Sequence, residues 1–285
     1  MYARMSTWWT VLRICVEERL VYRGDFALGT LMRFLPIVTQ IFLWGAIFAA
    51  IEQGSATAHV ATASGEPARI AGYRYEDFVA YYLLTMVSRA FSSMPGLASG
   101  VARQIREGEI KKYLIQPVDM IGFLLLGRIA HKLVYYGVAF APFALVFYLC
   151  RDFFPGWPAP EVLAAFAASL IMSFLLGFFM EVTMGLLGFW LLEVSSLLFV
   201  YMLFTFFLSG HMFPIDMLPS PIDTIVRIVP LQYLAYFPAA VFLGKIEGTD
   251  LVIGLAVQAA WVIGFVLLSR YIFNRGVKRY SGFGG

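Results

Sequence analysis

Six apolar runs, near 26–51, 76–99, 119–149, 161–190, 194–213 and 250–273, occupy most of this 285-residue chain. Each is long enough to cross about 30 Å of hydrocarbon, which takes roughly 20 helical residues. An open sheet would leave backbone groups unpaired in lipid, so each run is expected to be a helix. Only 14% of the residues are charged and 60% are hydrophobic, with mean hydropathy +0.78. Soluble domains carry about 25% charge. The expected class is an all-α polytopic membrane protein with six transmembrane helices. The third and fourth runs exceed the minimum length, and only Leu191, Leu192 and Glu193 separate the fourth from the fifth.

Residues 6–23 place Ser6, Thr10, Arg13 and Glu17 on one helical stripe, with Trp8, Leu12, Cys15, Val16 and Leu20 elsewhere on the turn. That pattern is an N-terminal amphipathic interfacial helix. A helix packed on its own protein has the same pattern, and both readings stand. The first charges are not followed by an apolar core and a small-residue cleavage site, so no cleavable signal peptide is expected.

Basic residues set the orientation. With the N-terminus inside, eleven lie on the inner side (Arg4, Arg13, Arg19, Arg23, Arg103, Arg106, Lys111, Lys112, Arg275, Lys278, Arg279) and five outside (Arg69, Arg74, Arg151, Arg227, Lys245). Both termini and the 100–118 connection are therefore expected in the cytoplasm, and Cys15 and Cys150 on opposite sides. The net charge of +3 gives no reason to expect nucleic acid as a partner. Outside, residues 52–74 read as a flexible polar loop. The proline-punctuated 210–240 segment reads as short re-entrant helices or as a structured loop.

No phosphate loop is present, because Gly244-Lys245 is followed by Ile246. No metal or catalytic spacing joins His59, His131 and His211. No metal, cofactor or catalytic residue is expected in this chain, and energised work would draw on a partner.

Six charges crowd residues 103–112: Arg103, Arg106, Glu107, Glu109, Lys111 and Lys112. With Val101, Ile105, Ile110, Tyr113 and Leu114 they form a segment suited to a membrane surface or a groove on a soluble partner, or a charged loop anchoring two helices. Inside the runs, Arg128 and Lys132 share one face of the third beside His131, and Glu181 lies at matching depth on the fourth. Charges at such depth cost about 2.5–3.5 kcal/mol, so Glu181 is expected to pair with Arg128 or Lys132, as gate or as brace. Arg33 is close enough to the surface to snorkel. Arg89 is deeper and faces the path or a neighbouring subunit. The run from Phe204 to Leu208 packs, or lines an apolar route.

Two motifs carry a resemblance: Gly108-Glu-Ile-Lys-Lys-Tyr-Leu-Ile-Gln-Pro-Val118, and Leu208-Ser-Gly-His-Met-Phe-Pro-Ile-Asp-Met-Leu-Pro219 followed by Val229-Pro-Leu-Gln-Tyr233. In their order and spacing the chain resembles permease subunits of ABC-2-type ABC transporters over essentially its whole length. The resemblance implies a single transmembrane domain over 1–285. It makes 100–117 a cytoplasmic coupling helix that docks on an ATPase subunit through Arg103, Arg106, Glu107, Glu109, Lys111, Lys112 and Tyr113. The 210–240 region becomes an outer gate containing His211, Phe213, Pro214 and Pro230. The partners implied are an ABC ATPase, which binds the ATP and Mg, a second permease copy or sister permease, and membrane lipid. The function implied is export of a drug-like, lipid or glycan substrate across the cell membrane. A secondary transporter would need internal repeats and paired breaks at mid-membrane, whereas the proline breaks cluster at the outer edge. A membrane-embedded enzyme would have to use His131, Glu181 or His211 as acid–base groups.

Overall fold

The computed structural model describes residues 2–21, 23–52, 69–154, 156–191 and 193–280. Most of the expected 52–74 loop lies outside them, as do the side chains of Ser6 and Arg33. The protein is an all-α polytopic membrane protein. Its helices are α1 (Tyr2–Val21), α2 (Arg23–Glu52), α3 (Tyr75–Ser92), α4 (Leu97–Arg106), α5 (Lys111–Leu114), α6 (Met120–Leu149), α7 (Pro160–Leu186), α8 (Ser195–Leu208), α9 (Ile222–Ile228), α10 (Tyr236–Phe242) and α11 (Gly248–Arg279).

Among the described residues, four helical stretches are long and apolar enough to cross a membrane: Leu28–Ile51, Met120–Leu149, Pro160–Phe189 and Gly248–Arg279. They match the first, third, fourth and sixth expected runs. The second run is not one helix. Its helix stops at Ser92, Pro95 and the left-handed Gly96 (φ 71°) form a turn, and a new helix starts at Leu97. Proline at 95 supplies no backbone donor, and glycine at 96 takes a conformation other residues resist. A helix break therefore exists away from the proline-rich segment, where none was expected. The fifth run is the 14-residue α8, about 21 Å long. It begins after Glu193 and ends before the left-handed Gly210 (φ 78°).

α7 is the central helix, packed on α3, α4, α10 and α11. Close approach requires glycine on it: a Cβ on Gly177 would lie 2.1 Å from the Ser92 carbonyl oxygen, and one on Gly185 2.6 Å from that of Ala98. A buried polar knot ties α7, α11 and the 230–234 turn together. In it Ser169 Oγ donates to Gln258 Oε1 at 2.9 Å, and Ser173 Oγ donates to the Tyr233 carbonyl at 2.6 Å. Such hydrogen bonds join helices where apolar contact alone discriminates poorly.

α1 packs on α6, with Trp8 over Gly122. Trp8, Val11, Leu12, Cys15, Val16 and Arg19 are half-buried, while Thr10, Arg13 and Glu17 are exposed. The expected polar stripe is thus present, and the opposite face rests on the chain's own α6. Trp9, Ile14, Leu20 and Val21 remain exposed. Asp119 caps α6 by accepting from Gly122 N at 2.7 Å and from Arg270 Nη2 on α11 at 2.8 Å. Burial alone would raise the Asp119 carboxyl, but the Arg270 and Gly122 hydrogen bonds outweigh it and hold the group below the usual carboxylate range.

The basic sets separate spatially. α1, α4, α5, the start of α6 and the end of α11 share one end of the molecule. Arg74, Arg151, Arg227 and Lys245 lie at the other, where Lys245 Nζ donates to the Gly72 carbonyl at 3.5 Å. Cys15 and Cys150 are free and sit at opposite ends.

Candidate coupling surface and central cavity

The 97–118 segment is folded onto α7 by its apolar side. Leu97, Val101 and Ile105 of α4 are buried with Phe178, Phe179, Val182 and Leu186 of α7. Arg103, Arg106 and Glu107 fall on the exposed face. The expected 100–117 helix is broken at Gly108, whose φ is 76°. The chain there turns back so that Ile110 N donates to the Gln104 carbonyl at 3.1 Å, and Ile110 is completely buried. α5 follows as a single turn. Glu109, Lys111 and Lys112 are exposed, with Lys112 3.4 Å from Glu109. Tyr113 is half-buried against Phe123, ring centroids 5.7 Å apart. Beyond it Ile115 is 81% exposed. Six of the seven expected coupling residues are therefore exposed, and the seventh, Tyr113, is half-buried. Glu193 stands beside them: its Oε2 accepts from Arg106 Nη1 at 3.3 Å and its Oε1 from Ser195 N at 2.9 Å. The Ser195 hydroxyl does most to hold the Glu193 carboxyl below its ordinary range.

Arg128 and Glu181 lie close enough for their charges to interact, but the hydrogen bonds of the intramembrane charges go to the backbone. Lys132 Nζ donates to the Ala90 carbonyl and, at 2.8 Å, to that of Ser93. Arg128 Nη1 donates to the Pro95 carbonyl at 3.2 Å. Glu181 Oε2 accepts from Ala98 N at 3.3 Å. The cations thus serve the carbonyls at the end of α3 and in the turn, and the anion serves the start of α4. Helix ends leave unpaired carbonyls and amides, and their dipoles favour cations at the C-terminus and anions at the N-terminus. The α3–α4 break, invisible as such in the apolar pattern, is what supplies these backbone partners.

That break borders a cavity of about 740 Å³ lined by residues of α2, α3, α7 and α8, among them Ile37, Tyr82, Met86, Arg89, Glu181, Leu198, Tyr201 and Phe206. His211 and Met212 line its other end, where Tyr82 Oη donates to the Met212 carbonyl at 2.7 Å. Ser92 is ten residues further along α3, about 15 Å of helix rise. Ser92 Oγ, Ser93 Oγ and His211 Nδ1, on residues that line this space, are buried without a hydrogen-bond partner among the described residues. Buried polar atoms are seldom left so. Arg89, Glu181 and His211, scattered in sequence, are brought to one cavity, with Arg128 and Lys132 behind the break. Of the aromatic run, Phe206 and Thr205 line the cavity, whereas Phe204 is exposed. Ser92 and Ser93 carry no sequence signal beyond their nearness to Pro95-Gly96.

The 209–247 segment covers the far end. Tyr81 Oη donates to the Gly210 carbonyl, and Tyr236 N to that of Ser209 at 2.9 Å. Asp216 accepts from Tyr73 Oη at 2.6 Å, Tyr236 Oη at 2.7 Å and the Arg227 guanidinium. Burial alone would raise this carboxyl, but these three donors outweigh it and hold it below its ordinary range. α9 keeps Ile222, Ile225 and Ile228 exposed, whereas α10 is buried from Tyr236 to Val241. Pro214 and Pro230 are buried at the starts of short turns, Phe213 is half-buried, and His211 meets Phe206 edge-on at 5.5 Å. The Asp216 cluster, which joins three separate segments, was not legible in the sequence.

Comparison with curated proteins returns no match. A family model described as "ABC-2 family transporter protein" matches residues 60–284, which take in both motifs, the break and the far-end segment, and the chain belongs to that family.

Proposed function

We propose that this chain is the permease subunit of an ATP-driven exporter in the cell membrane, with both termini cytoplasmic and a separate ABC ATPase docked on α4–α5. Membership of the family makes it a transporter rather than an enzyme. The observation that carries the rest is the construction of α4. One face is fused to the central helix α7, and the other offers Arg103, Arg106 and Glu107 to solvent. Force applied to that surface moves α7 and the cavity wall together. Only contacts that differ between two states can drive such a switch. The ATP and Mg belong to the ATPase, and a second copy or sister permease completes the path. The mostly apolar cavity, with Arg89 and Glu181 at one end, is consistent with a drug-like, lipid or glycan substrate.

The test is capture of the ATPase with the tagged full chain. A stable partner released by Glu107→Lys or Lys111→Glu, with unchanged membrane expression, supports the proposal. Substrate flux from the chain reconstituted alone and driven by an ion gradient overturns it.

A further inference from the structure

A second cavity of about 290 Å³ opens between α4 and the turn that leads into α8, with Arg103, Arg106, Glu193 and Ser195 in its lining. It shares Gly96, Ser99 and Leu198 with the lining of the central cavity. The two spaces therefore adjoin at two small residues and one aliphatic side chain. Arg106 and Glu193 bridge the smaller space, their side chains 53% and 61% exposed, so water reaches the pair.

The bridge joins two helices with very different supports. α4 is packed on α7, but α8 has a single buried residue, Thr205. α8 is tied by hydrogen bonds at its ends, through the Glu193 contacts at one and the Ser209–Tyr236 bond at the other, and packs on the core through Tyr201 and Leu208, both C-terminal to Leu198. Between its ends it supplies Leu198, Tyr201 and Phe206 to the cavity wall. Loss of the Arg106–Glu193 contact frees the end of α8 that carries the shared Leu198. An exposed ion pair holds weakly enough to be opened and closed.

We infer that the Arg106–Glu193 pair gates an aqueous way into the central cavity, past Gly96, Ser99 and Leu198, and that it admits an amphiphile carrying an acidic group. The charge preference follows from the groove itself. When the pair opens, Arg103 and Arg106 outnumber Glu193, and a water-exposed groove of one sign concentrates guests of the other. This inference rests on the permease reading and adds to it where the substrate enters and which charge it bears.

The test uses the full chain in nanodiscs, with Cys15 and Cys150 replaced by Ser and one reporter, Gln40→Cys, on the half-buried α2 wall of the central cavity. Its labelling is followed with an anionic and a cationic methanethiosulfonate of similar size. With the pair intact, the anionic reagent is expected to react faster. Glu193→Gln should speed anionic labelling about fivefold, the scale of one exposed ion pair, and cationic labelling less. Arg106→Gln should speed the cationic reagent more. A Ser220→Cys reporter on the far-end segment should label equally in every variant, and gel filtration confirms folding. Rates indifferent to both substitutions overturn the gate, as does labelling by a lipid-soluble maleimide alone. Equal or reversed charge preference overturns the acidic guest. The readout needs neither ATPase nor substrate, so its failure leaves the docking test standing, and the converse holds.

Discussion

Gly177 lies directly under the carbonyl of Ser92, where any Cβ would come within 2.1 Å of the oxygen. The end of α3 can therefore rest on α7 only while position 177 has no side chain. Gly177→Ala forces the two backbones apart, and overpacking of this kind costs about 1–3 kcal/mol. Gly137→Ala on α6, with no atom within 4 Å of the added carbon, is expected to be neutral or stabilising by up to about 1 kcal/mol. Thermal unfolding of the purified variants in one detergent compares them, and equal melting temperatures would falsify the close contact.

Glu181 accepts from Ala98 N, and Lys132 donates to the Ala90 and Ser93 carbonyls. Glu181→Gln keeps an acceptor for that amide and should cost little. Lys132→Met leaves both carbonyls short of a donor, a loss of about 1–3 kcal/mol. If charge pairing were the main bond instead, Glu181→Gln would damage the fold as much as Lys132→Met, which melting curves would reveal.

Asp216 gathers hydrogen bonds from Tyr73, Tyr236 and Arg227, and its folded carboxyl titrates below the ordinary value. A group with a depressed folded pKa stabilises the fold above its unfolded pKa of about 3.9 and loses that contribution as pH falls through the folded value. Wild type should therefore lose part of its advantage over Asp216→Asn as pH drops from 6 to about 3. A constant difference in melting temperature across that range would sink the assignment. Tyr73→Phe or Tyr236→Phe should each cost about 1.5–3 kcal/mol, as for hydrogen bonds to a charged group.

Ile110 and Ile115 separate stability from docking. Ile110 is fully buried and Ile115 is 81% exposed. Ile110→Ala should cost about 2–5 kcal/mol. Ile115→Asp should leave the melting temperature unchanged and reduce ATPase capture at least tenfold in co-purification. Unchanged capture would remove Ile115 from the docking surface.

Arg270 makes paired hydrogen bonds to Asp119, with their side chains 44% and 37% exposed. Arg270→Lys loses the fork that matches a carboxylate. Solvent screening limits the loss to about 1 kcal/mol, and it should shrink further in 0.5 M salt, about the regime where screening is short-ranged. A salt-independent loss would argue for packing rather than charge.

The long apolar runs translated into α2, α6, α7 and α11 because burying about 20 hydrophobic residues in lipid overrides local preference. The charged face of α4–α5 was equally legible, since charge excludes it from hydrocarbon. Less legible were the partners of Arg128, Lys132 and Glu181. Depth and spacing place charges on helices, but which unpaired group they answer depends on where a neighbouring helix breaks.

Composition and periodicity were enough to establish the membrane class, the direction of charge bias and the exposed charged face of α4–α5, because each follows from transferring a residue between water and lipid. Folding alone decided that the Pro95-Gly96 turn meets three charges from α6 and α7, that Asp216 collects donors from residues 73, 227 and 236, and that α8 walls a cavity rather than filling one. These depend on contacts between residues distant in the chain, fixed by where backbone approaches backbone, and glycines such as Gly177 permit those approaches only in the assembled helices.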